Sequence, residues 1–341
     1  MKSEGGGGSE EEEKAWWNGW VLRRYTPLWI AAIAMVVAFR LYETFSGLGY
    51  TLFSVAVAAP AILFPLLFPP VKFRHLPLSR RYSIQTNLWV GILSYIGNHF
   101  HTHYFYQVKS FSFLLCLPSV FDFLAPLSFH LMSLNFFIHF LPSFKVLGCR
   151  YTVPTDGLWS INDVPLCMYF LTHAYFMTYH VAVDSFLRWV KKKVQGGSGL
   201  GKRGERKQPR VGEGESLAWA FGRVLLTCAL AYITALMETL TISAFPHYTY
   251  PSLTHMLTVG SAFYMLFLSV SFSMFPRVGG EGGKGGVWQV CVEALATAMM
   301  IFILYDLWRM AIPSLPPPDI DERLRADCSG CRYHVPYAQA R

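Results

Sequence analysis

The stretch YTLFSVAVAAPAILFPLLF (50–68) decides the fold: 19 residues pass without one charged side chain. About 20 apolar residues make a helix that crosses a hydrocarbon core roughly 30 Å thick. Six further stretches read the same way: Thr26–Phe45, Ser83–Tyr104, Pro165–Trp189, Leu217–Ala244, Ser252–Phe275 and Trp288–Ile312. Pro60 and Pro65 lie inside the quoted stretch, so a kink is expected there. Membrane helices tolerate one where neighbours satisfy the freed carbonyls. Composition agrees: 53% of the 341 residues are hydrophobic and 15% are charged, against about 25% charged in a soluble chain. The expectation is an all-α, polytopic integral membrane helical bundle of about seven transmembrane helices. A soluble enzyme, a disulfide-stapled secreted module and a nucleic-acid reader are excluded.

The charge is concentrated between the spans. Residues 1–24, opening MKSEGGGGSEEEEK, read as a disordered acidic, glycine-rich segment. They do not form a signal peptide, which needs a basic start followed by an apolar run. Of the net +8, the loop 191–215 supplies +5, from eight Lys/Arg and three Glu, and reads as a basic cytosolic linker. Lys72, Arg74, Arg80 and Arg81 fall on the same side as this linker, while the first–second and fifth–sixth loops carry no Lys or Arg. That bias places the N-terminus in the cytosol. The tail 313–341 (Arg323, Arg325, Arg332, Arg341) runs against it. Cys116, Cys167, Cys228 and Cys291 lie in apolar runs and read as packing groups; Cys328 and Cys331 form one CxxC without a second pair, which is weak support for a metal site.

One segment does not fit the membrane domain, 25–312. Residues 108–145 hold nine of the chain's 27 Phe and are otherwise mostly Leu, Ser and Pro. These are amino acids of pyrimidine-rich codons. The segment opens with Val, whose codons begin GT, and closes with Lys, whose codon can be AAG. It reads as an artefactual insert, a retained intron of 38 codons that keeps the frame. The alternative is a genuine hairpin or extra span, for which Asp122, His130, Pro118, Pro126 and Pro142 are poor residues.

Ionisable side chains inside a bilayer cost about 2.5–3.5 kcal/mol each and are functional candidates by default. Here they are Glu43, His99, His101, His103, His173, His180, Asp184, Glu238, His255, Glu293 and Asp306. Glu43, His103, Glu238 and Asp306 lie near the ends of odd-numbered spans. His173 and His255 lie near the starts of even-numbered ones. All six therefore share the leaflet away from the basic loops, where acid–base chemistry on a lipid would sit. Blander readings stand beside this: Glu43, Glu293 and His255 as interfacial groups, Asp306 and Arg309 as an i,i+3 pair. His99 and His103 share a helical face and His101 points away, so the three cannot ligate one metal. His173, His180 and Asp184 do share a face. No di-iron histidine boxes, GxSxG elbow or Rossmann fingerprint occurs, and neither a metal nor a cofactor is expected.

Five stretches, FRLYETF (39–45), NLWVGILSYIGNHFHTHYFY (87–106), FLTHAYFMTYHVA (170–182), METLTISAFPHY (237–248) and YDLWRM (305–310), resemble the cycloeucalenol cycloisomerases, the plant cyclopropyl sterol isomerases. The resemblance runs from about Tyr25 to Ile312, in order, skipping 108–145. It implies a multi-pass enzyme of the endoplasmic reticulum membrane. Such an enzyme opens the 9β,19-cyclopropane ring of cycloeucalenol to give obtusifoliol, with no redox cofactor. The family tends to carry aromatics at positions 99 and 101, which weakens any role for those histidines. The carry-over covers Glu43, Asn98, Thr102, His103, Tyr104, His173, Tyr179, His180, Glu238, Thr239, Asp306, Trp308 and Arg309.

That chemistry needs a proton delivered to C19, a cation tolerated at C9, and a proton removed from C8. Burial raises a carboxyl pKa, the condition under which Glu238 or Asp306 acts as acid; His103, His173 or a second carboxylate such as Glu43 would be the base. Aromatic faces stabilise a cation. The expected substrate contacts are Trp89, Tyr95, Asn98, Tyr104, Tyr179, His180 and Trp308. The expected partners are a cyclopropyl sterol and the lipid bilayer, with no nucleic acid and an open oligomeric state. A non-catalytic sterol-binding or sterol-transport protein would use the same kind of cavity. An ion or proton channel fits less well, because the polar groups stay in one leaflet.

Overall fold

The computed structural model describes residues 10–102, 150–154, 159–162, 164–197, 217–245, 247–250, 252–279 and 286–311. The Phe-rich segment 108–145, the tail 313–341 and the linker beyond Gly197 lie outside the described residues.

The architecture is helical. Helix α1 (Glu10–Trp20) runs through a π-helical turn, Val21–Tyr25, into α2 (Thr26–Ala38). The chain then reverses at Arg40, whose φ of 51° is left-handed. Helix α3 (Gly47–Leu67) starts where the Ser46 hydroxyl accepts from the Gly49 amide at 3.3 Å, an N-cap. Helix α4 (Tyr82–Ile96) continues through a second π-turn, Gly97–His101. There follow α5 (Leu166–Gly197), α6 (Leu217–Ser243), a short α7 (Leu253–His255) passing through the π-turn Met256–Gly260 into α8 (Ser261–Met274), and α9 (Val287–Ala311). Two small antiparallel strand pairs sit between helices: β1 (Arg150–Tyr151) with β4 (Tyr248–Thr249), and β2 (Ser160–Ile161) with β3 (Val164–Pro165).

Five helical stretches among the described residues are long and apolar enough to cross a membrane: Glu11–Ala38, Gly47–Leu67, Trp219–Ser243, Leu253–Arg277 and Val287–Trp308. Their outer faces expose Leu28, Met35, Leu63, Phe221, Ile233, Met299 and Ile303. Contiguous apolar surface of this kind is the face a bundle turns to lipid. The two remaining expected spans are also helical, as α4 and α5, but more polar. Helix α4 packs on α9, α5, α3 and α1, and α5 packs on α3, α4 and α8. Central helices meet neighbours rather than lipid, so they can carry Asn98, His101, His173, His180 and Asp184, all of them buried.

The expectation of disorder over residues 1–24 is corrected from Glu10 onward. Glu13 is buried, and its carboxylate accepts from the Tyr82 amide at 3.0 Å, the Ser83 amide at 3.4 Å and the Ser83 hydroxyl at 2.9 Å. A helix start leaves such amides without partners, and Arg81 at the start of α4 offers no side-chain cap. Glu13 supplies that cap from 69 residues away, with its charge at the positive end of the helix dipole. Glu11 reaches Arg188 at 3.8 Å and Glu12 reaches Lys72 at 3.4 Å. Trp17 is buried and stacks on Trp20, which stacks on Phe64 of α3 at 4.5 Å. Composition alone reads the acidic run as solvated; the basic ends of α3–α5 give it partners.

Replacing Glu13 by Ala should therefore lower stability by about 1–3 kcal/mol, since it strands buried donors. The exposed Glu12→Ala control should cost under about 1 kcal/mol. Thermal denaturation of the two variants in one detergent checks the contrast.

Candidate active site

A proline inside α3 sets up the site. Pro65 has no amide hydrogen, so the Ala61 carbonyl four residues earlier loses its helical partner. Asn87 of α4 replaces it, donating from Nδ2 to Ala61 O at 3.0 Å and to Ser83 O at 2.8 Å. Two carbonyl acceptors fix which end of the amide is nitrogen. Oδ1 is thereby turned toward α5, where it lies 3.0 Å from His173 Nε2. An amide oxygen only accepts, so Nε2 carries the hydrogen. Nδ1 is left with its lone pair and has no hydrogen-bond partner among the described residues.

His173 lines a groove of about 730 Å³ between α3, α4 and α9, within the ~300–1,000 Å³ typical of ligand pockets. Ile62, Leu66, Leu88, Ile92, Tyr95, Phe100 and Leu295 supply apolar and aromatic wall, and of these Ile62, Leu66, Tyr95, Phe100 and Leu295 are exposed. Gly91 lies over the imidazole: a Cβ there would stand 3.8 Å from Nδ1 and Cε1. Among the described residues lining the groove, His173 and Tyr95 are the ionisable ones.

A second polar group forms on the other side of α5. Glu238 of α6 accepts from the Tyr264 hydroxyl of α8 at 3.1 Å. Tyr175 and Tyr179, roughly stacked with centroids 6.3 Å apart, lie near enough to feel its charge. Thr239 and Ser261 join α6 to α8 through a 3.2 Å hydroxyl bond. Positions 173 and 175 are 200° apart at 100° per helical residue, that is, on opposite flanks. His173 and the Glu238 group therefore lie on opposite flanks of α5.

The other predicted residues separate in the same way. Glu43 is exposed and pairs with Arg40 at 3.7 Å, away from both groups. Asp306 lies on the same face of α9 as Leu295, three turns further along. His180 donates from Nδ1 to the Phe176 carbonyl, 2.7 Å away, and is enclosed by Trp89, Phe272 and Phe275, so His180 and Trp89 form core rather than groove. Asn98 donates to Ser94 O at 2.9 Å and accepts from Thr172 at 3.5 Å. Trp308 packs edge-on to Phe263, and Tyr95, half-exposed, stacks on His99 at 5.3 Å. Asp184 binds both carboxylate oxygens to Arg188 Nε at 3.0 Å. His101 is buried against Phe302, Phe267 and Tyr305, and neither ring nitrogen has a partner among the described residues. His103 and Tyr104 lie outside the described residues.

Sequence reading passed over Asn87, Gly91 and Tyr264. Asn87 had one available signal, a polar side chain inside an apolar run facing a proline-containing helix.

A multi-pass helical bundle with an apolar groove beside an oriented imidazole defines a helical membrane protein. No protein-family profile and no solved structure matches the chain. It is 33% identical over 298 residues, 86% of each chain, to a protein named cycloeucalenol cycloisomerase from Arabidopsis thaliana. The chain belongs to the cycloeucalenol cycloisomerase family, and so to the isomerases.

Filling the groove gives a direct check on its role. Gly91→Val should leave α4 folded, because the space above it is open to ordinary contact. It should raise the apparent KM for sterol by about tenfold or more, the worth of roughly 1.4 kcal/mol of lost binding. Sterol titration of microsomes carrying the variant measures this.

Proposed function

We propose that the chain opens the 9β,19-cyclopropane ring of cycloeucalenol to give obtusifoliol, and that the reaction takes place in the α3–α4–α9 groove. The observation that carries this reading is the oriented His173 imidazole at the wall of an apolar cavity of sterol size. The substrate enters sideways from the bilayer and lies along the aliphatic wall.

The proton chemistry follows from what lines the groove. A phenol, with a pKa of about 10, is too weak an acid to protonate a cyclopropane, so Tyr95 is not the donor. The resting ring is neutral; it takes up one proton at Nδ1, and the imidazolium so formed gives that hydrogen to C19. The C9–C19 bond breaks, a C19–H bond forms, and C9 becomes cationic. The neutral imidazole then takes the C8 hydrogen, the C8=C9 double bond forms, and the imidazolium is restored. Atoms and charge balance within one residue, and no cofactor enters. This route requires the C8 hydrogen to leave from the β face that carries the cyclopropane. Such acid–base help is worth about 10²–10⁴-fold. Tyr95 and Phe100 present rings to the cation, worth about 2 kcal/mol or more where a contact is desolvated.

A second reading places the chemistry at Glu238, where a carboxyl and a phenol already share a hydrogen bond. It takes Glu238 as the acid and leaves His173 a structural group. Both readings set the protein in the endoplasmic reticulum membrane. The end that gathers Lys72, Arg188 and α1 faces the cytosol, as the positive-inside rule directs.

The test uses yeast microsomes carrying the chain, with and without residues 108–145, incubated with cycloeucalenol and analysed by gas chromatography with mass detection. Obtusifoliol is expected, with a loss of at least about 10²-fold in His173→Ala and little change in Glu238→Gln. The reverse pattern moves the chemistry to Glu238. Sterol binding without conversion by any form would leave a sterol-binding protein.

A further inference from the structure

We infer that Asn87 is a positioning residue for the isomerisation: locked by the carbonyl that Pro65 frees, its amide holds His173 in the one tautomer that leaves Nδ1 basic toward the groove. The inference rests on the reading of His173 as the proton-transferring group.

The geometry leaves Asn87 one orientation. Turning the amide over would set its oxygen against the Ala61 and Ser83 carbonyls, now 3.0 and 2.8 Å from its nitrogen. Both contacts would become repulsive, and Nδ2 would face Nε2 instead. Ala61 is fully buried, so water does not compete for its carbonyl. The order of control runs from Pro65, which removes a hydrogen, to Ala61 O, to the Asn87 amide, to Nε2–H, and so to the Nδ1 lone pair. A buried imidazole without this partner would exchange tautomers, and the proton would spend part of its time on the nitrogen that has to accept.

A purely structural role makes a different forecast, and Pro65 separates the two. Asn87→Leu strands the Ala61 carbonyl and also frees His173. Pro65→Ala restores an amide hydrogen to that carbonyl within α3. The double variant Pro65→Ala/Asn87→Leu therefore has a satisfied α3 and an unheld imidazole.

The experiment measures thermal stability, kcat and KM for wild type, Asn87→Leu and the double variant. It adds the ¹⁵N spectrum of histidine-labelled protein, with the His173 signals identified by their loss in His173→Ala. The wild-type spectrum should show Nε2 protonated and Nδ1 not. Asn87→Leu should lose stability and show kcat down roughly 10–100-fold at similar KM, as when second partners of functional histidines are removed. The double variant should regain stability and not kcat, with both nitrogens of His173 partly protonated. If Asn87→Leu fails to accumulate, the double variant alone carries the comparison. Recovery of kcat together with stability would make Asn87 a helix-packing group and overturn the inference, as would a wild-type spectrum with the proton on Nδ1. Full turnover by His173→Ala sinks the catalytic reading instead, and the ¹⁵N spectra still decide whether Asn87 sets the tautomer.

Discussion

A carbonyl group inside a lipid bilayer must find a hydrogen, because no water is there to supply one. In this chain that requirement falls on Ala61. The proline that deprives it lies inside α3, and a single asparagine of α4 reaches across to the freed carbonyl. The attitude of His173 follows from how this one acceptor is satisfied. A leucine at position 87 with an unbroken α3 would give a similar bundle without an oriented imidazole.

The opposite end of the bundle is held by charge rather than by backbone supply. Glu11, Glu12 and Glu13 take three different partners: an arginine of α5, a lysine after α3, and the amides that open α4. Of these only Glu13 is buried, so it alone acts with little solvent screening. The tryptophans that follow press α1 onto α3 through stacked rings. Helix α4 is thus fixed at its start by a carboxylate and a turn further on by the asparagine, with Gly91 one turn beyond it and His173 beside both.

The membrane class and the helices were legible because apolar length is a local property of the chain. So was the lost donor in α3, since proline removes one wherever it stands. The candidate acid–base residues were legible only in part. Span parity gives the depth of Glu238 and His173 in the bilayer, and depth is what suggested a shared layer. Parity says nothing about direction around the bundle, and the two residues turn out to face opposite flanks of α5. Asn87 escaped notice because its role is a bond between helices 26 residues apart in sequence. The acidic run at 10–13 was misread because its partners, Lys72, Arg188 and the start of α4, are likewise distant in sequence.

The exposed part of the groove wall, Ile62, Leu66, Tyr95 and Leu295, is apolar or aromatic and lies within α3, α4 and α9, the helices proposed to meet lipid there. A sterol using the groove stays in the plane of the bilayer from approach to release, so its encounter with the protein is a two-dimensional search. The relevant concentration is a mole fraction of sterol among lipids, not a molarity in the aqueous phase. Diluting the membrane with inert phospholipid should slow the protein as effectively as removing substrate, while changing the volume of buffer should leave it indifferent.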